Sequence, residues 1–380
     1  MRLSLLVLSV ACCCWVPKGS RSLASAIGGG GGGADSVAAT TGWGNLSHWV
    51  DSTRPDEFHT NTGLIANATY LSYTSTTGSS YFKPGDVNAT IAPGWIRDKN
   101  LSVDPAAGGM RALTFYETST RRAIVVFRGT DLGTNNTGAM ADQCADSMLW
   151  EGVTYADLPA ACRAQFTPSQ LDYLTHAEAF ADVVAQALVG YDVLFTGHSL
   201  GAGLAFLVAA LKANDSGNIT DTAQHQHHHQ DAASSELLVA SSSIDSGGVG
   251  AVVFSTPPMA ATLTNRSTHH ALNVSSLRSD RYIDFGDAND PLVFEVNASV
   301  AGIPGQLCLW GGQAPRPLAC GDCFRHTVGG HVDLTRPTCE LCFAEHHVFS
   351  NYYHNLVGGG TLPSCVAGLK KMKTVTTTMP

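Results

Sequence analysis

The sequence predicts an α/β fold with a mostly parallel central sheet flanked by helices, and three observations carry that prediction. A short buried run, Val193-Leu194-Phe195, passes through a Gly-His-Ser-Leu-Gly turn into an apolar, Pro-free helical stretch at 204–211. Just before it, apolar residues recur at helical spacing across 170–188, among them Leu171, Leu174, Ala177, Phe180 and Val184. Beyond it, GAVVF at 250–254 and RYIDF at 281–285 have the look of strands. Helices alternating with buried strands are the pattern of a parallel sheet.

The remaining elements follow in order. Arg2 precedes an apolar run at 3–16 that is too short to span a bilayer but suits a signal peptide, with Ala24-Ser25-Ala26 as a cleavage site. Residues 1–26 are therefore expected to be a signal peptide, and 27–42, with six consecutive glycines, a flexible leader. One domain is expected over 43–369. Within it, 43–110 offers three tryptophans among turn residues and no clear assignment. The segments ALTFYE and RAIVVFRG, split at 118–121, predict a β-hairpin or two adjacent strands, whereas 131–168 looks irregular. A His-rich, low-complexity insertion occupies 213–247, a Cys-rich segment 308–342, and a frayed Thr-rich tail 370–380.

Composition narrows the setting. The chain has 380 residues, 44% of them apolar, which is enough for a sizeable core. Its net charge of −9, without basic clusters, speaks against nucleic acid as a partner and against docking on anionic membrane. Charged residues are only 14%, so the surface needs another source of hydration. Glycans would provide it. Ten of the fifteen Asn residues stand in N-x-[ST] sequons (Asn45, Asn67, Asn88, Asn100, Asn135, Asn214, Asn218, Asn265, Asn273, Asn297), where chance predicts about three. Of eleven cysteines, three fall in the signal segment. The other eight (Cys144, Cys162, Cys308, Cys320, Cys323, Cys339, Cys342, Cys365) form an even set, as expected of disulfides in an exported protein. Cys320-x2-Cys323 and Cys339-x2-Cys342 also have the spacing of a four-thiolate zinc site, a reading that an oxidising compartment disfavours. The HQHHHQ tract could hold a divalent metal, but a polar insertion explains it as well. No metal and no cofactor are expected, and no second apolar run is long enough for a transmembrane anchor.

Chemistry is concentrated at Gly197-His198-Ser199-Leu200-Gly201. A bare G-x-S-x-G is weak, but this one ends a buried strand and opens a helix, the setting of a nucleophile elbow. There the Ser adopts a strained backbone, small residues on either side let strand and helix pass closely, and the helix N-terminus aims N–H groups at a developing oxyanion.

GHSLGAGLA, with the upstream VVFRGT, resembles the class 3 lipases, the fungal triacylglycerol lipase family of α/β-hydrolases, over roughly 110–357. The resemblance implies an oxyanion hole formed by Thr130, with its backbone N–H and hydroxyl both available, and by the N–H of Leu200. The sequence at 175–180 is similar to the family's V-H-x-G-F but lacks its Gly. The acid should lie in RYIDFGDANDPLV, where Asn289-Asp290-Pro291 matches the family best and Asp287 ranks second; Asp284 falls within the strand. The base should be a later His among His326, His331, His346, His347 and His354. His347, seven residues before His354, matches the family's H-x4-Y-L-H, with adjacent His346 the alternative. The family's lid position falls on Met148, Leu149 and Trp150, which could cover an apolar groove or could equally pack into the core. A Cys144–Cys162 bridge would fix the base of that excursion.

These readings combine into a secreted serine esterase acting through an acyl-enzyme on acylglycerols at a lipid–water interface. Phospholipase A1, monoglyceride esterase and feruloyl esterase activities on the same scaffold are alternatives, as is a non-catalytic secreted binding protein.

Overall fold

The structure, a computed structural model, describes residues 46–49, 55–73, 90–104, 109–131, 137–150, 152–225, 250–257, 282–292, 305–310, 318–323, 327–328, 331–332, 336–349, 353, 356 and 363–367. All of them fall in one unit, Thr40–Pro380. The signal peptide, leader, tail and the body of the His-rich insertion lie outside the described residues.

Ten strands are described: β1 (Trp95–Val103), β2 (Ala112–Glu117), β3 (Arg122–Phe127), β4 (Asp192–Gly197), β5 (Gly250–Phe254), β6 (Tyr282–Asp287), β7 (Gln306–Trp310), β8 (Thr327–Val328), β9 (His331–Val332) and β10 (Ser364–Ala367). Eight of them form one sheet in the order β1-β2-β3-β4-β5-β6-β7-β10. The run β3-β4-β5-β6-β7 is parallel throughout, while β1, β2 and β10 add antiparallel edges. The α/β expectation and the β2–β3 hairpin both hold, with Arg121 at positive φ closing the turn.

Parallel strands covered on both faces must be apolar on both, and these are. Val125, Phe127, Val193, Phe195, Ala251 and Val253 pack on one side, against α6 (Tyr173–Ala187) and α7 (Leu200–His225). Ile124, Val126, Leu194, Val252, Phe254 and Phe285 pack on the other, where α1 (Leu46–Trp49) and α2 (Pro55–Ser72) supply Leu46, Trp49, Ile65 and Ala68.

Three expectations need correction. The unassigned stretch before 110 holds α1, α2 and β1; the apolar face of α2 is broken by Thr62, Thr69 and Ser72, all buried, so its periodicity is masked. The segment 131–168 is not irregular: it forms α3 (Thr137–Leu149), α4 (Ala160–Gln165) and, from Pro168, α5 (Pro168–Leu171), around a small core of Ala141, Leu158, Phe166 and Leu171. Finally, α7 runs on to His225, into the expected insertion, because no proline interrupts it.

Candidate active site

Four segments meet at the C-terminal ends of the parallel strands. β4 delivers Gly197 and His198 to a sharp turn, and Ser199 takes φ +56° before α7 begins at Leu200. A non-glycine residue there is strained, and the surroundings hold it: the Ser199 N–H donates to the Phe254 carbonyl, at 3.0 Å. A Cβ on Gly197 would run into the Gly201 backbone, and one on Gly201 into the Phe127 and Arg128 backbone. The elbow therefore depends on both glycines for the close approach of strand and helix.

β6 ends at Asp287 and leads to Asp290, whose backbone N–H donates back to the Asp287 carbonyl. The third segment is α9 (Pro337–His346), which follows α8 (Leu318–Cys323) and places His347 at its C-terminal cap. His347 Nδ1 lies 2.8 Å from Asp290 Oδ2, and His347 Nε2 lies 2.9 Å from Ser199 Oγ. All three side chains are nearly or wholly buried, Asp290 at 0% exposure and Ser199 at 8%. With Asp290 ionised, Nδ1–H donates to the carboxylate and Nε2 accepts the serine proton.

The second-ranked residues also meet, but with each other. His346 Nδ1 lies 3.0 Å from Asp287 Oδ2, and both are partly exposed. Asp284 is buried within β6, where Oδ1 accepts the Thr256 N–H at 3.4 Å and Oδ2 has no hydrogen-bond partner. Burial pushes its carboxyl up to about 8. His326 and His354 lie outside the described residues, and His331 stands in β9, which pairs with β8 in a separate two-stranded sheet.

The fourth segment is the loop after β3, Arg128-Gly129-Thr130-Asp131. A buried ion pair ties it down: Arg128 Nη2 lies 2.7 Å from Asp142 Oδ2, which also accepts the Asp131 N–H, while Tyr173 donates to Oδ1 at 2.8 Å. Burial raises the Asp142 carboxyl, and Arg128 counteracts that rise. The Thr130 hydroxyl donates to Asp146 Oδ2 at 2.7 Å, so its single proton is committed there and only the backbone N–H stays available. This corrects the expectation of two donors from Thr130. The backbone N–H groups of Thr130 and Leu200 donate to no backbone carbonyl among the described residues.

Of the two readings left open for Leu149 and Trp150, cover over a groove or packing into the core, the structure has the second. Both sit in the main core, and the Trp150 ring fills the space beside Gly203 while its Nε1–H donates to Asp146 Oδ1. Met148 is half-buried against the small core of α3 to α5.

The cysteines pair as Cys144–Cys162, Cys320–Cys342 and Cys323–Cys339. The last two staple α8 to α9 and so anchor the helix that carries His347. Pairing of all four sulfurs removes the four-thiolate zinc alternative. Cys308 is disulfide-bonded as well and faces Cys365 across β7 and β10. Among the sequons, Asn100 is exposed, whereas Asn67 is half-buried and its amide nitrogen donates to the Ile91 carbonyl at 3.1 Å. The side chains of the other eight sequons lie outside the described residues.

Sequence reasoning missed Tyr73, at the end of α2. Its hydroxyl lies 2.5 Å from His198 Nδ1, beneath the elbow. Nothing in the local sequence of α2 marks it, because its partner is 125 residues away.

The class 3 lipase family model matches residues 124–224, from β3 through the elbow to the end of α7, which bears out the resemblance seen in the sequence. No curated protein matches the chain. Among solved structures, Lip2 lipase from Yarrowia lipolytica is 14% identical over 69% of this chain and 80% of its own, with a TM-score of 0.34. Lipase II from Rhizopus niveus is 13% identical over 68% and 82%, at 0.36. The lipase from Rhizopus microsporus var. chinensis is 15% identical over 70% and 78%, at 0.37. TM-scores this low carry no argument, and the fold assignment rests on the strand order and the faces of the sheet.

Proposed function

We propose, from the match of residues 124–224 to the class 3 lipase family model, that the chain is a secreted serine esterase that hydrolyses acylglycerols through an acyl-enzyme. One observation carries the reading: the continuous path Asp290–His347–Ser199, with contacts of 2.8 and 2.9 Å, on a serine held at φ +56°.

In this mechanism His347 Nε2 takes the Ser199 proton as Oγ attacks the ester carbonyl. Asp290 holds the imidazole tautomer and stabilises the imidazolium that forms. The tetrahedral oxyanion is met by the N–H groups of Leu200 and Thr130, helped by the N-terminal end of α7. His347 then returns the proton to the departing alcohol, and water repeats the cycle on the acyl-enzyme. Each step is a proton or acyl transfer among these side chains, the ester and water, so the chemistry calls for no metal or cofactor.

Export is supported by the disulfides, which persist in oxidising compartments, and by the sequon count. No helix among the described residues is long and apolar enough to cross a membrane. The acylglycerol substrate is the family's, and the net charge of −9 fits an uncharged ester better than an anionic one.

A fluorophosphonate probe together with emulsified and soluble esters tests the proposal. Ser199 should label, and hydrolysis should rise once the ester forms an interface. Folded protein that leaves Ser199 unlabelled overturns it, and labelling without an interfacial rise would reassign the enzyme to soluble esters.

A further inference from the structure

We propose that Tyr73 and His198 are positioning residues: a buried hydrogen-bonded strut that holds the oxyanion loop, the nucleophile turn and the base in register. The inference rests on the catalytic reading above and adds to it two side chains that touch none of the reacting atoms.

The strut has three joints. The Tyr73 oxygen accepts the backbone N–H of Gly129, the residue before Thr130 in the oxyanion loop. The Tyr73 hydroxyl lies 2.5 Å from His198 Nδ1. His198 Nε2 lies 2.8 Å from the carbonyl of His347. A carbonyl can only accept, so Nε2 carries the proton; Nδ1 of a neutral imidazole must then accept, and the phenol donates. The directions are thus fixed from one end to the other: Gly129 N–H to Tyr73, Tyr73 O–H to His198, His198 N–H to His347.

The environment keeps this arrangement single. Tyr73 and His198 are 7% and 4% exposed. Burial, and then the neighbouring His347, hold the His198 imidazole well below its usual range, while burial raises the Tyr73 phenol. A protonated His198 would turn Nδ1 into a donor and set it against the Tyr73 hydroxyl. Gly129 leaves room for the joint, because a Cβ there would strike the Tyr73 hydroxyl and the His198 carbonyl. The His198 ring also packs beside His347 and Phe349, with centroids 4.7 and 5.3 Å apart.

The chemical consequence follows from how His347 is otherwise held. It sits at the C-terminal cap of α9, a helix whose own buried residues are the disulfide cysteines Cys339 and Cys342. Its side chain must move a proton between two oxygens, so its position is best fixed through the main chain. His198, adjacent to Ser199, does this directly, and it ties the position of the base to that of the nucleophile rather than to α9 alone. Small displacements in such a constellation cost large factors in rate.

The test compares the full-length wild-type enzyme with Y73F, H198Q, H198L and S199A, using p-nitrophenyl ester kinetics, fluorophosphonate labelling rates, melting temperature and ¹⁵N NMR of the histidines. The wild type should show His198 as one neutral Nε2–H tautomer from about pH 5 to 8, and Y73F a mixture of tautomers. In Y73F, kcat and labelling rate should fall together by about tenfold with KM unchanged. H198Q, which keeps an amide N–H for the His347 carbonyl, should retain more activity than H198L. Folded Y73F and H198L with wild-type kcat and labelling would overturn the strut. Should either variant fail to fold, an Nδ1–H tautomer in the wild type overturns it independently. Absence of Ser199 labelling in the wild type counts against the catalytic reading instead, and the tautomer measurement still decides the strut.

Discussion

His346 Nδ1 stands 3.0 Å from Asp287 Oδ2, in a pair of its own directly beside His347. It therefore shares the link between the β6 exit and the end of α9 without reaching Ser199. On the proposed mechanism a proton acceptor must contact Ser199, and among the described histidines His347 does.

The first prediction separates these neighbours. H347A should lose several orders of magnitude in kcat with folding nearly intact, as removal of a triad member does. H346A should lose no more than about tenfold, through looser positioning alone. Steady-state kinetics on a soluble ester decides it, and the opposite ranking would exchange the two roles.

Thr130 supplies the second. Removing a direct oxyanion donor costs about 10²–10³ in kcat. The Thr130 hydroxyl already donates to Asp146, so T130V should lose the loop anchor but keep the backbone donor, with a fall of at most about tenfold. A loss near a thousandfold would mean that the hydroxyl turns to the oxyanion during reaction.

Asp284 makes the third, in stability against pH. Its carboxyl is pushed up to about 8, primarily by burial, with Oδ2 unpartnered. A group whose folded pKa is raised contributes stability that is present at low pH and lost as pH rises through the folded value. The wild type should thus lose stability progressively between about pH 4 and pH 8. D284N keeps an oxygen for the Thr256 N–H and has no charge to bury. It should be close to wild type at about pH 4 and more stable at about pH 8, on the order of several kcal/mol. Urea titrations across that range provide the check, and parallel curves for the two proteins would refute it.

The fourth concerns Cys323–Cys339, which closes a span of 16 residues and braces α9. By loop entropy such a bridge contributes roughly 3 kcal/mol. C323A/C339A should show a lower urea midpoint by a corresponding amount, with kcat preserved while the protein remains folded. An unchanged midpoint would show that Cys320–Cys342 suffices to hold α8 and α9 together.

What the sequence determined by itself was local. A buried strand, two well-placed glycines and a Pro-free helix identify the elbow, because its physics lies within a few consecutive residues. The same holds for the β2–β3 hairpin and for α6, each written in its own periodicity. The even cysteine number foretold disulfides, and the resemblance brought the acid to Asp287 or Asp290 and the base to His346 or His347.

Tertiary structure decided the rest. It put Asp290, fully buried, against His347, and left Asp287 and His346 to pair nearer the surface. It matched Cys320 with Cys342 and Cys323 with Cys339, a choice that spacing leaves open. It turned Leu149 and Trp150 inward, since an apolar helix end packs on whichever apolar surface lies nearest. And it brought Tyr73 under His198, and His198 to the carbonyl of His347, across 125 and 149 residues of chain. Periodicity and capping act over a few residues, whereas these partners meet only because sheet order and helix packing carry distant segments to the same end of the parallel strands.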